Sequence, residues 1–126
     1  MDISLAIDYG ATRVGVAASA GFLPRPLDVL QHGALDGLLE RLLKIAKSEM
    51  ATRIVIGLPV NADGTEGEQA KSVRYFAQRL ANVTTLPVWL WNEYGSSQTA
   101  QAHMIAANTS KKARKTKLDA LAAAAA

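Results

Sequence analysis

The stretch Arg53-Ile54-Val55-Ile56-Gly57-Leu58-Pro59 is a near-continuous apolar run closed by two residues that break regular structure. Runs of this length and β-branched content belong to strands buried on both faces of a parallel sheet. Reading backwards, Leu35, Leu38, Leu39, Leu42, Ile45 and Ala46 recur at helical spacing, and Glu40, Arg41, Lys44 and Lys47 fill the opposite face. This is the pattern of an amphipathic helix. Reading forwards, Thr65 and Glu68 have the spacing of a capping box, and Ala70, Val73, Phe76, Ala77 and Leu80 follow at the helical period. Val88 to Trp91 is a second apolar strand, ending at Asn92 and Glu93. A strand between two helices, followed by another strand, predicts parallel crossover units.

The N-terminal third reads differently. Ile3 to Asp8 and Arg13 to Ala18 are short apolar runs around the turn-forming Tyr9-Gly10-Ala11-Thr12, which predicts a hairpin. Pro24 and Pro26 place the next stretch at a sheet edge or in a loop, because proline cannot donate to a central ladder. Ser96 or Ser97 can cap a third helix running through Ala107, and Asn108, Thr109 or Ser110 a fourth. The predicted fold class is α/β, with a five-stranded mixed sheet of three antiparallel and then two parallel strands, flanked by helices. With 126 residues, 49% of them hydrophobic, one domain over 1–126 is expected.

Composition narrows the chemistry. The chain has no cysteine, which excludes disulfides and thiolate metal sites and leaves oxygen and imidazole donors. Oxygen donors favour magnesium or manganese. The net charge of +3 is modest, but five of the seven residues from Lys111 to Lys117 are Lys or Arg. Such a cluster attracts phosphates, although many basic runs are only solvated helix faces. There is no secretory signal pattern and no apolar stretch of membrane-spanning length, so a cytoplasmic protein, or one of an organelle stroma or matrix, is expected. The closing run Ala122 to Ala126 carries no functional signal.

Three acids stand out. Asp8 lies at the end of one apolar strand, Glu93 just past the end of another, and Asp119 within the apolar helical run Leu118 to Ala124. Taken singly, Asp8 could close an Asx turn, Glu93 could be solvated, and Asp119 could offset Lys115 one turn earlier. Taken together, they would converge at the carboxyl edge of the sheet, where α/β proteins gather ligands. Carboxylates in that arrangement hold two cations roughly 3.5 to 4 Å apart, a device for phosphodiester hydrolysis. Asp8, Glu93 and Asp119 are therefore the candidate catalytic and metal-ligating residues, with Mg2+ or Mn2+ as cofactor.

Ala6-Ile7-Asp8-Tyr9-Gly10 with Arg13-Val14-Gly15-Val16-Ala17 resembles the opening of the YqgF/RuvX-like proteins. Val55-Ile56-Gly57-Leu58-Pro59-Val60-Asn61 followed by Asp63-Gly64-Thr65-Glu66-Gly67-Glu68-Gln69-Ala70 is similar to that family's most recognisable segment, and Lys111 through Ala123 resembles its last motif. The resemblance implies an RNase H-like fold related to Holliday junction resolvases, and a metal-dependent nuclease linked to maturation of the 5′ end of small-subunit ribosomal RNA. It matches Asp8, Glu93 and Asp119 to the family's acidic triad, and makes Arg13 and the loop from Asn61 to Gln69 part of the nucleic-acid face. A Holliday junction resolvase and a catalytically weak nucleic-acid-binding ribosome-assembly factor are the alternatives. The second arises because this chain has Asn92-Glu93-Tyr94 where relatives usually read Asp-Glu-Arg.

On a helix, Lys112 and Lys115 lie seven and four positions before Asp119 and share its face, so with Lys111 and Arg114 they are candidate phosphate contacts that position a strand without reading its sequence. The expected partner is an rRNA precursor or branched DNA, bound by a monomer or weak homodimer. His32 and His103 receive no role. Trp89 and Trp91 read as packing residues before base-stacking ones. The Asp8-Tyr9-Gly10 turn also resembles the phosphate loop of actin-like and sugar-kinase ATPases, but those enclose a nucleotide with a second lobe that this length does not accommodate.

Overall fold

The computed structural model describes residues 2–21, 24–93 and 102–105. Strands β1 (Ser4–Tyr9), β2 (Arg13–Ser19) and β3 (Pro24–Gln31) precede helix α1 (Leu35–Ser48), strand β4 (Arg53–Pro59), helix α2 (Glu68–Val83) and strands β5 (Val88–Glu93) and β6 (Ala102–Ile105). They form a six-stranded sheet in the order β3-β2-β1-β4-β5-β6. The first three strands are antiparallel neighbours, β1 pairs with β4 and β4 with β5 in parallel, and β6 returns antiparallel to β5. The prolines fall on β3, an edge strand, as the missing donor requires.

Strand alternation decides where the core lies. Leu5 and Ile7, Val14 and Val16, Ile54, Ile56 and Leu58, and Val88 and Leu90 are all buried on one face. Both helices pack there, α1 through Leu38, Leu39 and Leu42 and α2 through Val73, Phe76 and Leu80, in one continuous cluster. The opposite face carries Ala6, Gly15, Ala17, Val55, Gly57 and Trp91 along an open groove.

Four expectations are corrected. The sheet has six strands, not five, because 102–105 pairs with β5 where a third helix was predicted. Val55 is half-buried, so the β4 run is sealed on one face and not on both. The capping box does not form: α2 starts at Glu68 with Gly67 as its N-cap and no side-chain cap bond, and the Thr65 hydroxyl instead accepts from the Asn61 amide and donates to Asp63. Trp91 is 46% exposed and is not a core residue. The predicted fourth helix lies outside the described residues. Among the described residues no helix is long and apolar enough to cross a membrane.

Helix α1 ends in a Schellman motif. The Ala51 N–H bonds to the Ala46 carbonyl and the Met50 N–H to the Lys47 carbonyl, with Met50 in the left-handed region at φ 58°. That position usually falls to glycine, because a Cβ there crowds the following carbonyl. The Met50 side chain is 78% exposed and contributes little packing in return. Met50→Gly is expected to raise stability by about 0.5–1 kcal/mol, the relieved strain exceeding the added freedom of the unfolded chain. Urea unfolding measures it, and a lower midpoint at unchanged slope would contradict the assignment.

Candidate nucleic-acid and metal site

Strands β1, β4 and β5 run parallel, so Tyr9, Pro59 and Glu93 end at one edge of the sheet. Asp8 sits there on the face away from the helices, exposed, between buried Ile7 and half-buried Tyr9. Both neighbouring strands present glycine at its level. Gly15 is its partner on β2, where a Cβ would meet the Asp8 Cβ at 3.7 Å. On the other side the Ile7–Ile56 pair puts Gly57 next along β4. The carboxylate thus stands on a floor cleared of side chains, at one end of a groove of about 490 Å³ lined also by Pro26, Asp28, Val29 and Trp91. Asp28 is a second acid along this groove that the sequence reading missed; its Oδ1 accepts the Val29 N–H at 2.8 Å.

The other predicted residues fall as follows. Glu93 closes β5 opposite Pro59, at the same sheet edge as Asp8. Arg13 is exposed at the start of β2, and its carbonyl accepts the Gly10 N–H at 3.0 Å in the turn after Asp8. A Cβ on Gly10 would lie 2.5 Å from that carbonyl oxygen, so the turn requires glycine. Asn61 follows β4, its amide donating to Thr65 Oγ1 at 3.0 Å and its N–H to the Thr65 carbonyl at 2.8 Å. Asp119, Lys111, Lys112, Arg114 and Lys115 lie outside the described residues, as does Tyr94. Among the described residues no three His, Asp or Glu side chains are grouped to hold a metal ion.

The loop after β4 is self-supporting. Asp63 Oδ1 accepts both the Thr65 hydroxyl at 2.6 Å and the Thr65 N–H at 3.0 Å, an Asx turn that Gly64 completes at φ 87°. Glu66 forms a bidentate pair with Arg74 of α2 at 2.6 and 2.7 Å, which raises the arginine pKa further and ties the loop to the helix. A reading from sequence also missed His32. Its ring Nε2 is hydrogen-bonded to the Tyr9 hydroxyl, and no local pattern announces a partner 23 residues away.

The hydrogen bond from the Thr65 hydroxyl, and then that from its N–H, holds the Asp63 carboxyl below its ordinary value. A folded value below the unfolded one means that the turn's contribution is complete above the ordinary carboxylate value. It is lost as pH falls through the lowered one. Thr65→Val is expected to shift the Asp63 titration upward, followed by carboxyl NMR; an unmoved curve would show that the hydroxyl is not the cause.

Comparison with known proteins agrees with this geometry. The RuvX family, described as "Holliday junction resolvase", matches residues 2–125. A protein of Paracoccus denitrificans (strain Pd 1222) named "Putative pre-16S rRNA nuclease" is 36% identical over 119 residues, covering 93% of this chain and 75% of the relative. A protein of the same name from Bradyrhizobium diazoefficiens is 38% identical over 119 residues, covering 93% and 74%. Among solved structures, T. thermophilus RuvC in complex with a Holliday junction substrate aligns with a TM-score of 0.56 at 16% identity, over 74% of this chain and 66% of that one. At that identity the likeness concerns the fold, which is RNase H-like. With a match along nearly its whole length and relatives above one-third identity, the chain belongs to the RuvX family.

Proposed function

We propose that this chain is a nuclease that hydrolyses phosphodiester bonds in structured nucleic acid, with 5′-end processing of a small-subunit rRNA precursor as its reaction. The observation that carries the reading is Asp8, an exposed carboxylate at the carboxyl edge of parallel strands with glycine on both sides. The names of the curated relatives support RNA as substrate, and the family description supports the alternative of a four-way DNA junction.

The donors fit a hard divalent cation. Asp8 offers carboxylate oxygens, the floor around it leaves room for hydrated ions, and the chain has no thiolate to favour a softer metal. Asp8, Glu93 and Asp119 would hold Mg2+ or Mn2+. When bound, the cation neutralises charge on the phosphate and eases ionisation of water. The chain's own residues do the rest. Glycine at Gly15 and Gly57 lets a phosphate approach the backbone, and Arg13 stands at the rim of the same sheet edge. Lys111, Lys112, Arg114 and Lys115 neutralise flanking phosphates and so set position, not sequence preference.

One observation favours the second reading, an assembly factor with weak catalysis. Asn92 stands where the family resemblance implies an acid, and its Oδ1 is buried without a hydrogen-bond partner among the described residues.

Asp8→Asn is expected to abolish Mg2+- or Mn2+-dependent cleavage of a structured precursor RNA while leaving the circular-dichroism spectrum unchanged. Full activity in that variant would end the assignment, and the same assay on a four-way DNA junction decides between substrates. If manganese raises neither cleavage nor thermal stability, the assembly-factor reading replaces the nuclease one. Lys112→Ala with Lys115→Ala should weaken binding alike for all sequences and reduce the slope of log affinity against log salt by about 2.

A further inference from the structure

Asp8 lies where its strand is least supported. The β1/β4 ladder ends at the Ile7–Ile56 pair, so at Asp8 and Tyr9 the backbone is laddered only to β2, through Gly15 and Val14. The next residue, Gly10, turns the chain away. A strand end held on one side has freedom to splay, and a carboxylate that must meet a cation tolerates displacement of only about 0.5 Å.

The adjacent side chain removes that freedom. Alternation sends Tyr9 to the helix face, opposite Asp8, and its ring stacks on Phe76 of α2 with centroids 4.1 Å apart and planes 14° from parallel. Its hydroxyl meets His32 Nε2 at 2.5 Å, just past the end of β3. The direction of this bond follows from the other ring nitrogen. His32 Nδ1 lies 2.9 Å from the Gly33 carbonyl, which can only accept, so Nδ1 carries a hydrogen and Nε2 is the ring nitrogen left to accept from tyrosine. The backbone that carries the imidazole is itself held, because the His32 main-chain N–H bonds to the Thr12 carbonyl at 2.9 Å. Tyr9 is thereby tied to α2 and to the end of β3 at once, one Cα step of about 3.8 Å from Asp8.

We infer that Tyr9 and His32 are a positioning pair for Asp8: the Tyr9 hydroxyl bond to His32, with the stack on Phe76, replaces the ladder that β4 does not supply. This rests on the nuclease reading above, since it gives the pair a function only if Asp8 meets cation and substrate. Neither residue touches the reacting atoms.

The test uses the full chain with Mn2+ as probe, followed by manganese EPR, and with the precursor RNA as substrate. Tyr9→Phe keeps the stack and removes the hydroxyl; His32→Ala removes the acceptor. Each is expected to lower Mn2+ affinity and kcat about tenfold, the size of effects from groups that orient a metal ligand, with KM unchanged. The double variant should be no worse than either single one. Imidazole 15N spectra should show Nε2 unprotonated in the parent, with its resonance shifted in Tyr9→Phe. Single effects that multiply in the double variant, or parent-like Mn2+ affinity and kcat in Tyr9→Phe while Asp8→Asn is inactive, would overturn the inference and leave the nuclease reading intact. If Asp8→Asn itself binds Mn2+ and cleaves like the parent, the nuclease reading falls and the positioning role falls with it.

Discussion

The parallel pairing of β1 with β4, from Ser4–Arg53 to Ile7–Ile56, is the constraint on which the rest of the molecule depends. It joins two segments about fifty residues apart, and it joins the antiparallel hairpin half of the sheet to the parallel half. Such a contact carries a large closure entropy, which local contacts cannot offset by themselves. Leu5, Ile7, Ile54 and Ile56 supply the compensation. All four are nearly or completely buried, on one face, under Leu38, Leu42 and Phe76. Burying a side chain of this size contributes about 1.5–3 kcal/mol, so this pairing is bound more by its shared core than by its hydrogen bonds.

One-sided packing also explains the chemistry of the other face. Because hydrophobic side chains at alternate positions serve the helices, the intervening positions are free to be small, and Ala6, Gly15, Ala17 and Gly57 are. A floor of that kind lets a bulky, charged ligand reach the backbone. Where the two halves of the sheet meet, the chain leaves β1 for β2 and leaves β4 for α2, so a crevice opens at their carboxyl ends, and Asp8 stands in it.

Alternation and helical periodicity made most of this legible. β1, β2, β4, β5, α1 and α2 each announce themselves through several apolar residues at one spacing, and Asp8 and Glu93 stand out as acids terminating such runs. Trp91 was misjudged because strand alternation states which residues share a face but not which face the helices cover. The capping box failed on competition: the Thr65 hydroxyl is taken up within the loop, accepting from the Asn61 amide and donating to Asp63, and Asp63-Gly64-Thr65 already spells an Asx turn. β6 has only four residues, Ala102 to Ile105, and its strand state depends on pairing with β5, a tertiary condition without a local signature. His32 was passed over for a similar reason, since its significance comes from Tyr9, 23 residues earlier.

Opening a crevice and holding a strand firm are opposed demands at Asp8. A ladder continued beyond Ile56 would anchor β1 but would also draw β4 across the space beside the carboxylate, whereas ending the ladder leaves the strand end loose. The molecule resolves the conflict by using the two faces of β1 for different purposes. Asp8 faces the cleared side and Tyr9 the packed side, so the ring contacts that restrain the backbone occupy none of the volume that the carboxylate needs. The period-two geometry of a strand makes this separation available wherever a functional side chain is followed directly by one that packs. It also means that the residue most able to disturb Asp8 without entering the groove is its immediate neighbour.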